Sequence, residues 1–289
     1  MEKDLTITPV SSAWLHQFIL QALAEDVGEG DHTSLACIAK TQRSKAKLLA
    51  KDVGIIAGVD FARHVLMHVD SSATLEVLKA DGDDVAEGDI VFLAEGNTQA
   101  LLKAERLILN TMQRMSGIAT MSRRFADEVE GYAVTLLDTR KTTPLLRPLE
   151  KWAVKLGGCS NYRHGLYDWI MIKDNHIKAC GGISPAIKKV HKYLEKHALP
   201  LGITVEVKNL VETHEVLTTG GVTRIMFDNF ELPLLHEAVS TVNQRIQTEV
   251  SGGVTLHTVR AIAATGVDYI SVGSLTHSAG VLDLSLKII

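Results

Sequence analysis

Four kinds of sequence feature are scarce or absent in this chain, and each absence argues against a class of protein. No run of 18 apolar residues occurs, so the sequence predicts no membrane-spanning helix. Three cysteines among 289 residues form no CxxC pair, which excludes a disulfide framework and predicts a reducing, cytoplasmic setting. Lysine and arginine total 30 against 34 acidic residues, so the chain lacks the basic surplus of a nucleic-acid-binding protein. The opening residues, MEKDLTITPV, contain no apolar signal core, and we expect no secretion.

The chain does contain enough apolar sequence for a large core. Hydrophobic residues make up 46% of it and the formal net charge is −4, a combination that excludes intrinsic disorder. A length of 289 residues exceeds one typical domain. It fits two domains, or one α/β barrel with an appendage.

The pattern changes near residue 115, and the part before it alternates short strands with turns. Residues 11–24 predict an amphipathic helix that Ser11 or Ser12 can cap, followed by a Gly/Asp-rich loop over 25–34. The predicted strands are 45–51, 53–57, 74–79 and 90–95, with a helix over 59–69. A long helix is predicted from 98 to 130, with a break near Ser116-Gly117.

The second part is a regular alternation of strands and helices. The predicted strands are 134–138, 169–173, 203–207, 224–227, 247–250 and 269–273, and the helices between them are 183–197, 210–219, 231–244 and 256–265. This alternation indicates parallel βαβ units and favours a barrel with fewer than eight strands. A doubly wound sheet is the competing arrangement, although no GxGxxG follows the first strand. Residues 281–289 alternate like a strand, which we expect to leave the barrel and join the N-terminal sheet.

Charged or very small residues follow the carboxyl end of each predicted barrel strand, where barrel enzymes build their active sites. The cations Arg140, Lys141, Arg163, Lys173 and Lys208 are predicted to share this end with Glu206 and Asp228. Because such a cationic cluster is stable only when anions enter it, the site is expected to bind carboxylates or phosphates.

A phosphate site is predicted after the fifth barrel strand. Ser251-Gly252-Gly253 precedes a helix predicted to start near Thr255, whose free N–H groups would hold a phosphate that Gly273 lets approach. The residues alone therefore predict a barrel enzyme that acts on a phosphorylated sugar and a carboxylated partner.

A second interpretation concerns residues 77–96, which resemble the hairpin of biotinyl and lipoyl carrier domains. A carrier needs an acceptor lysine at the exposed tip, whereas this turn offers Asp81, Gly82, Asp83 and Asp84. A structural hairpin is therefore favoured, and intact-mass measurement would reveal a biotin or lipoyl adduct.

Eight short motifs, in order along the chain, resemble the quinolinate phosphoribosyltransferase family, also called nicotinate-nucleotide pyrophosphorylase (carboxylating). They are AERLILN with SGIAT, LDTRKTTP, KLGGCSNYRHGL, IKDNHI, VEVKN, FDNF, EVSGG and VGSLTHS. The resemblance covers nearly the whole chain. It implies an α/β fold with an incomplete six-stranded TIM-like α/β barrel over 117–279. It also implies an N-terminal α/β sandwich over 1–116, to which a strand at 280–289 returns.

The resemblance implies an enzyme of NAD biosynthesis that uses Mg²⁺ and no organic cofactor. Quinolinate and phosphoribosyl pyrophosphate would give nicotinate mononucleotide, pyrophosphate and carbon dioxide. Catalysis would fall to Lys141, Lys173, Glu206 and Asp228, the last two also facing magnesium, directly or indirectly. Substrate binding would fall to Arg106, Thr139, Arg140, Lys141, Tyr162, Arg163, Lys173, Glu206, Lys208, Asp228, Ser251, Gly252, Gly253 and Gly273. The partners would be the two substrates and a second copy in a homodimer, with Arg106 reaching across the interface, and no nucleic acid or membrane.

One position departs from the family pattern. The family usually has histidine before the motif arginine, and this chain has Tyr162. Tyrosine can donate a hydrogen bond but carries no positive charge, which puts a cationic role there in doubt. His176 and His277 lie near the predicted site at spacings that match no metal motif, so structural roles are favoured for both.

Two related functions stay open beside the main prediction. A transferase that acts on nicotinate would need fewer carboxylate-binding cations, because nicotinate has one carboxylate and quinolinate two. The second related function is that of a relative associated with molybdate transport genes, and the neighbouring genes would distinguish it from a quinolinate phosphoribosyltransferase.

Overall fold

The computed structural model describes residues 10–289, so nearly all of the opening segment MEKDLTITPV, assessed above for a signal, lies outside the described residues. The chain divides into two compact units. The first consists of Met1–Arg123, Thr143–Gly158 and Ala279–Ile289, and the second of Arg124–Thr142 and Cys159–Ser278. The boundaries predicted at 116/117 and 279/280 stay predictions. In the described part of the chain, no helix has both the length and the apolar character needed to cross a membrane.

The first unit contains a four-stranded antiparallel sheet and several helices. Its helices are α1 (Ser12–Val27), α2 (His32–Cys37), α3 (Val59–Val69), α4 (Thr98–Glu128) and α5 (Arg147–Leu156). Its strands are β1 (Arg43–Ala50), β2 (Gly54–Ile55), β3 (Thr74–Val77), β4 (Asp84–Val85), β5 (Ile90–Asn97) and β12 (Leu284–Ile288). The sheet order is β12-β1-β5-β3, and β2 pairs with β4 separately. The C-terminal strand thus pairs with β1, Leu48 lying opposite Leu286.

The turn after β3 serves as a helix cap. The Asp81 carboxylate accepts hydrogen bonds from the backbone N–H groups of Gly58, Val59 and Asp60 at 2.6, 2.8 and 3.2 Å, where α3 begins. Burial raises the pKa of Asp81 to about 6, although the three N–H donors oppose that shift. The turn therefore has a structural role, and its exposed residues are Asp83 and Asp84, neither of which could accept biotin or lipoate as a lysine does.

Helix α4 is continuous, and the break predicted near Ser116-Gly117 is wrong. Glycine occurs there because the chain passes close by: a Cβ on Gly117 would overlap the carbonyl oxygen of Gly280. The Ser116 hydroxyl accepts a hydrogen bond from the backbone N–H of Ala57 at 2.9 Å. Both residues therefore serve packing against neighbouring segments, and neither interrupts the helix.

The second unit is built on a parallel six-stranded sheet. The strands are β6 (Thr135–Leu137), β7 (Ile170–Ile172), β8 (Ile203–Val207), β9 (Arg224–Asp228), β10 (Gln247–Ser251) and β11 (Tyr269–Ser271), in the order β6-β11-β10-β9-β8-β7. The helices are α6 (Asp174–Cys180), α7 (Ile183–His197), α8 (Leu210–Thr219), α9 (Leu232–Val242), α10 (Val259–Ala263) and α11 (Ser274–His277). β6 and β7 end the sheet and do not pair, so the predicted incomplete six-stranded α/β barrel is confirmed.

The barrel register brings the carboxyl ends of its strands to one edge. Ser251 lies opposite Asp228, and Glu206 lies opposite Met226 on the neighbouring strand. Strand β8 is buried along its whole length, as a strand covered on both faces should be. Side chains that alternate toward the barrel interior therefore emerge together at this edge, which is where the candidate site lies.

Candidate active site

A cavity of about 750 Å³ opens at the carboxyl ends of the barrel strands, and all of its lining belongs to the second unit. It gathers twelve of the residues predicted for the site: Thr139, Arg140, Lys141, Tyr162, Arg163, Lys173, Glu206, Asp228, Ser251, Gly252, Gly253 and Gly273. Its further lining is Met171, Met226, Asn229, Val254, Thr255, Ser271, Ser274 and His277. Arg106 and Lys208 are not among the lining residues.

Two arginines lie close together on the side where the barrel sheet is open. Arg140 follows β6, and Arg163 precedes β7 and donates to the backbone carbonyl oxygen of Trp169 at 3.0 Å. Burial and the neighbouring charge of Arg140 both lower the pKa of Arg163. Two guanidinium groups that repel each other in this way are suited to an anion with more than one acidic group.

The segment that carries Arg163 is fixed by a buried aspartate. The Asp138 carboxylate, fully buried, accepts from the Asn161 amide at 2.7 Å and from the Tyr162 backbone N–H at 2.9 Å. The backbone N–H of Asp138 donates in turn to the Ser160 carbonyl oxygen. The aspartate after β6 therefore has a structural role, which is to hold residues 160–162 beside the strand.

The two lysines of the pocket are held differently. The Lys173 ammonium forms a very short ion pair with the Glu206 carboxylate, which is only 8% exposed. The Lys141 side chain lines the cavity, and the Thr276 hydroxyl donates to the Lys141 carbonyl oxygen at 2.9 Å. Lys173 is thus neutralised by its neighbour, while Lys141 adds an ammonium group to the cavity wall.

Lys208 lies outside the cavity and pairs with another residue. Its ammonium donates to the Asp174 carboxylate at 3.0 Å, and both side chains are half exposed. This hydrogen bond raises the pKa of Lys208 and lowers the pKa of Asp174. Substrate binding by Lys208 stays a prediction.

Ser251-Gly252-Gly253 forms a turn at the end of β10. Gly252 has φ +95° and Gly253 has φ +60°, conformations that favour glycine. A Cβ on Gly252 would overlap the Asn229 amide, and a Cβ on Gly273 would lie 3.1 Å from the His277 ring. Successive backbone N–H groups in such a turn form a concave site for an anion.

The helix expected to support this turn begins later than predicted. Residues 255–258 form a turn in which the Thr258 hydroxyl accepts from the Thr255 backbone N–H at 2.9 Å. Helix α10 begins only at Val259 and has five residues. The predicted contribution of a helix starting near Thr255 is therefore wrong, and the glycine turn is the feature that can hold a phosphate.

Tyr162 points its hydroxyl away from the cavity. The ring contributes to the cavity lining, but the hydroxyl bonds the Thr204 side chain at 2.7 Å and the Glu249 carboxylate. Burial and the charge of Glu249 raise the pKa of Tyr162 far above its ordinary value, so the phenol is neutral. This contact inside the barrel could not be inferred from residues so distant in the sequence.

The two histidines near the site differ in role. His176 accepts a hydrogen bond from the Lys173 backbone N–H at 3.0 Å and completes a capping box at the start of α6. His277 lines the cavity beside Gly273. The structural prediction holds for His176. The sequence analysis expected His277 near the site, and the structure places it in the cavity lining; Asn229 and Thr255 also line the cavity, although neither was among the predicted binding residues.

The carboxylates fit a magnesium ion held jointly with substrate. Magnesium takes oxygen ligands and is usually bound through one or two carboxylates plus substrate phosphates. The cavity supplies two such carboxylates, Glu206 and Asp228, at the ends of adjacent strands. Within residues 10–289 no group of three or more His, Cys, Asp or Glu side chains is arranged to hold a metal ion alone.

Arg106 lies on α4 in the first unit. Its side chain is exposed and lines a second cavity of about 360 Å³ together with Glu25, Asp26 and Asn110. Within the described residues it forms no ion pair with Glu105 or any other carboxylate. The simplest structural explanation for this arginine, a pair with a neighbour on its own helix, is therefore absent.

Comparison with known proteins gives a consistent result along the chain. The sequence model for "Quinolinate phosphoribosyl transferase, C-terminal domain" matches residues 118–287, and its N-terminal counterpart matches residues 31–116. Quinolinate phosphoribosyltransferase [decarboxylating] 1b of Nicotiana tabacum is 47% identical over 92% of this chain and 80% of the relative. A probable nicotinate-nucleotide pyrophosphorylase [carboxylating] of Synechocystis is 40% identical over 96% and 92% of the two chains.

Solved structures agree. The nicotinate-nucleotide pyrophosphorylase from Francisella tularensis superposes with a TM-score of 0.91 and 34% identity, covering 100% of both chains. The barrel, its cationic cavity and these similarities together lead to one conclusion: the chain belongs to the quinolinate phosphoribosyl transferase family.

Proposed function

We propose that this chain transfers the phosphoribosyl group of phosphoribosyl pyrophosphate to quinolinate and releases carbon dioxide, giving nicotinate mononucleotide for NAD biosynthesis. The observation that carries the proposal is the distribution of charge around the cavity. Arg140, Arg163, Lys141 and Lys173 supply four cations against the two carboxylates of Glu206 and Asp228. A cavity with this surplus is suited to two anionic reactants that would otherwise repel each other.

Each reactant has a suitable region of the cavity. The adjacent guanidinium groups of Arg140 and Arg163 can bind the two carboxylates of quinolinate, and a ligand with one carboxylate would leave part of this charge unpaired. The glycine turn after β10 can bind the 5′-phosphate through backbone N–H groups. Strand order places Glu206 and Asp228 on the two strands between β7 and β10, where the ribose would lie.

The chemistry requires few protein groups. The pyridine nitrogen attacks the anomeric carbon of the ribose, the bond from that carbon to oxygen breaks, and pyrophosphate leaves with the electron pair. The transition state has a positively charged sugar, which the carboxylates of Glu206 and Asp228 stabilise. Lys141 and Lys173 stabilise the negative charge that develops on the leaving pyrophosphate. Glu206 and Asp228 would hold magnesium together with the substrate, and the ion would supply positive charge to the leaving pyrophosphate.

Decarboxylation follows from the product of the first step. The ring nitrogen is now quaternary and positive, so its charge stabilises the electron pair that stays on the adjacent ring carbon when the carbon–carboxylate bond breaks. Carbon dioxide leaves and the ring carbon takes a proton. The substrate thus supplies its own activation, and no organic cofactor is required. The remaining task of Arg140 and Arg163 is to hold the ring in the orientation from which the nitrogen attacks.

We also propose that the working form is a homodimer in which Arg106 completes the partner's cavity. Support comes from its exposure, from the lack of a carboxylate partner among the described residues, and from the motif that carries it. We also propose a cytoplasmic location, because the three cysteines of the chain form no CxxC pair and no even disulfide framework, as is usual in a reducing compartment.

The test is an assay with defined reactants. The purified protein is incubated with phosphoribosyl pyrophosphate, magnesium and quinolinate labelled in the 2-carboxylate, and nucleotide and labelled carbon dioxide are followed together. We expect equal amounts of both, and no nucleotide when nicotinate replaces quinolinate. Nucleotide formed from nicotinate but not from quinolinate would assign the chain to the one-carboxylate transferases instead.

A further inference from the structure

The barrel has an opening that backbone hydrogen bonds do not close. Beside β6, residue Ser160 forms an isolated parallel bridge with Leu137, and the next strand along the chain, β7, pairs only with β8. Residues 161–169 lie between these two edges. Side chains therefore have to connect this segment to the rest of the barrel. Three residues do so, and we call them the seam: Tyr162, Trp169 and Thr204.

One hydroxyl group joins the seam. Thr204 on β8 is fully buried, and its Oγ1 lies 2.7 Å from the Tyr162 hydroxyl and 2.8 Å from the Trp169 indole nitrogen. The indole N–H can only donate, so the threonine oxygen accepts from it. The Thr204 hydroxyl hydrogen is then free to donate to Tyr162, whose own hydroxyl donates to the Glu249 carboxylate.

The seam ends on a buried ion pair below the cavity. Glu249 on β10 is fully buried. Its carboxylate accepts hydrogen bonds from the Arg224 guanidinium, at 2.9 Å, and from the Ser271 hydroxyl. The Arg224 guanidinium lies 3.6 Å from the centre of the Tyr269 ring. The seam thus ends on a charge-paired carboxylate inside the barrel, and removing either member of the pair would leave an uncompensated buried charge.

Arg163 is attached to the seam at two points. It follows Tyr162 directly in the chain, and its guanidinium donates to the backbone carbonyl oxygen of Trp169 at 3.0 Å. Thr204 contacts both of these aromatic residues but is not among the residues that line the cavity. Any effect of Thr204 on a ligand must therefore pass through its neighbours.

We infer that Thr204 is a positioning residue, which orients Arg163 toward the carboxylates of quinolinate through Tyr162 and Trp169. The inference rests on the proposed function and adds to it. It assigns Tyr162 the role of fixing the arginine beside it, with its hydroxyl bonded inside the barrel. Loss of the Thr204 hydroxyl should weaken quinolinate binding and leave the phosphoribosyl pyrophosphate site, built on β10 and β11, unchanged.

The experiment compares three threonine variants by their kinetics. Thr204→Val removes the hydroxyl at nearly constant volume, Thr204→Ser keeps it, and Thr248→Val is the matched control. Thr248 is also a buried threonine in the second position of its strand, and its hydroxyl bonds Asp268 at 2.7 Å. It points to the opposite face of the sheet from Glu249 and Ser251, because side chains alternate along a strand.

We expect Thr204→Val to raise the KM for quinolinate about tenfold, the equivalent of roughly one good hydrogen bond to a charged group. The KM for phosphoribosyl pyrophosphate and kcat should stay within about twofold of wild type, a difference too small to represent a lost contact. Thr204→Ser should restore the quinolinate KM. Thr248→Val should lower the melting temperature and leave the quinolinate KM unchanged.

Tyr162→Phe provides a second, independent measurement should Thr204→Val fold poorly. If the Tyr162 hydroxyl acts through the seam, Tyr162→Phe and Thr204→Val should raise the quinolinate KM by similar factors. The KM of the double variant should then be no higher than that of the more affected single variant. An increase in Tyr162→Phe alone would mean that the hydroxyl contacts the ligand directly, and would overturn the inference. So would an equal rise in the KM of both substrates.

Direct titration separates this inference from the proposed function. Quinolinate binding to each variant is measured by the change in tryptophan fluorescence, with Trp169 in the seam as a reporter. A wild-type protein that neither binds nor converts quinolinate would remove the proposed function and this inference with it. Normal wild-type activity with an unchanged quinolinate affinity in Thr204→Val would overturn the inference alone.

Discussion

At the scale of single residues, the site combines side chains from six strand ends with few contacts among them. The ion pair of Lys173 with Glu206 is the main direct one, and Lys141 extends into the cavity from a loop held by Thr276. If such groups act on charge that develops in the transition state, as proposed above, their removal should affect rate more than folding.

The first prediction concerns the charges of the cavity. Lys141→Ala and Glu206→Ala should each lower turnover by at least about tenfold, since loss of one preorganised electrostatic group typically costs about 2.7–4 kcal/mol of activation free energy. Turnover at saturating substrates and the melting temperature are the measurements. Lys188→Ala, an exposed lysine on α7, is the control and should behave as wild type. Near-normal turnover of a cavity variant with an unchanged melting temperature would contradict the catalytic assignment.

The second prediction separates two adjacent glycines. Gly252→Ala should lower kcat/KM for phosphoribosyl pyrophosphate at least tenfold, because the new methyl group overlaps Asn229 and backbone strain of about 1–3 kcal/mol is added. Gly253→Ala adds strain at φ +60° but places its methyl group in open space, so it should retain most of the activity. Equal losses in the two variants would show that strain, and not the shape of the turn, decides phosphate binding.

At the scale of elements, periodicity predicted most of the regular segments and missed several helices. Helices α3, α7 and α8 and strand β8 begin and end at the predicted residues. Helices α2 and α5 were missed, although Asp31 caps the first and a proline stands in the first turn of the second, signals that the sequence contains. A six-residue helix such as α2 has too few turns to show a period, whereas α5 has ten residues, as many as α8, and was missed despite its length.

The residues that line the cavity could be predicted from the sequence, whereas the contacts that hold them in position could not. Motifs at strand ends, together with the family resemblance, predicted twelve of its lining residues. Parallel strands bring their carboxyl ends together, whereas Tyr162 and Arg163 precede β7 and were predicted from the resemblance. The inward turn of the Tyr162 hydroxyl toward Thr204 could not be predicted. It depends on how residues 161–169 bridge the open edge, which is a property of the assembled barrel and not of any local pattern.

The third prediction tests why Gly117 lies inside α4. In a helix without close neighbours, Gly→Ala stabilises by about 0.5–1 kcal/mol. Here the added methyl group would overlap the Gly280 carbonyl oxygen, so Gly117→Ala should lower the free energy of unfolding by about 1–3 kcal/mol, the usual cost of overpacking. Chemical denaturation measures the change. A stabilised variant would mean that the 279–283 segment is free to move aside.

At the scale of the whole molecule, the proposed role of Arg106 requires a second copy of the chain, because the lining of the cavity comes entirely from the second unit. A two-fold dimer places one self-complementary surface at both sites, so each copy can lend the same residue to the other. Arg106 would then matter for activity while contributing little to the stability of its own chain, in keeping with its exposed position on α4.

The fourth prediction follows from that arrangement. Arg106→Ala and Lys141→Ala chains, each nearly inactive alone, are mixed in equal amounts and allowed to exchange subunits. Half of the dimers are then mixed, and each has one site with both defects and one intact site, so about a quarter of wild-type activity should return. Mass measurement of the mixed dimers is the control for exchange. Verified exchange without recovery would rule out a shared arginine.

The pairing of β12 with β1 has a consequence for synthesis. Residues 279–289 belong to the first unit but are made after all of the barrel, which is inserted between parts of that unit. Domains usually fold in the order in which they leave the ribosome, and here that order is interrupted. Until Leu284–Ile288 has been made, one edge of β1 stays unpaired, and unpaired strand edges promote aggregation. The nascent chain therefore carries an unprotected edge through translation of the entire catalytic unit, the interval in which a chaperone would protect it most.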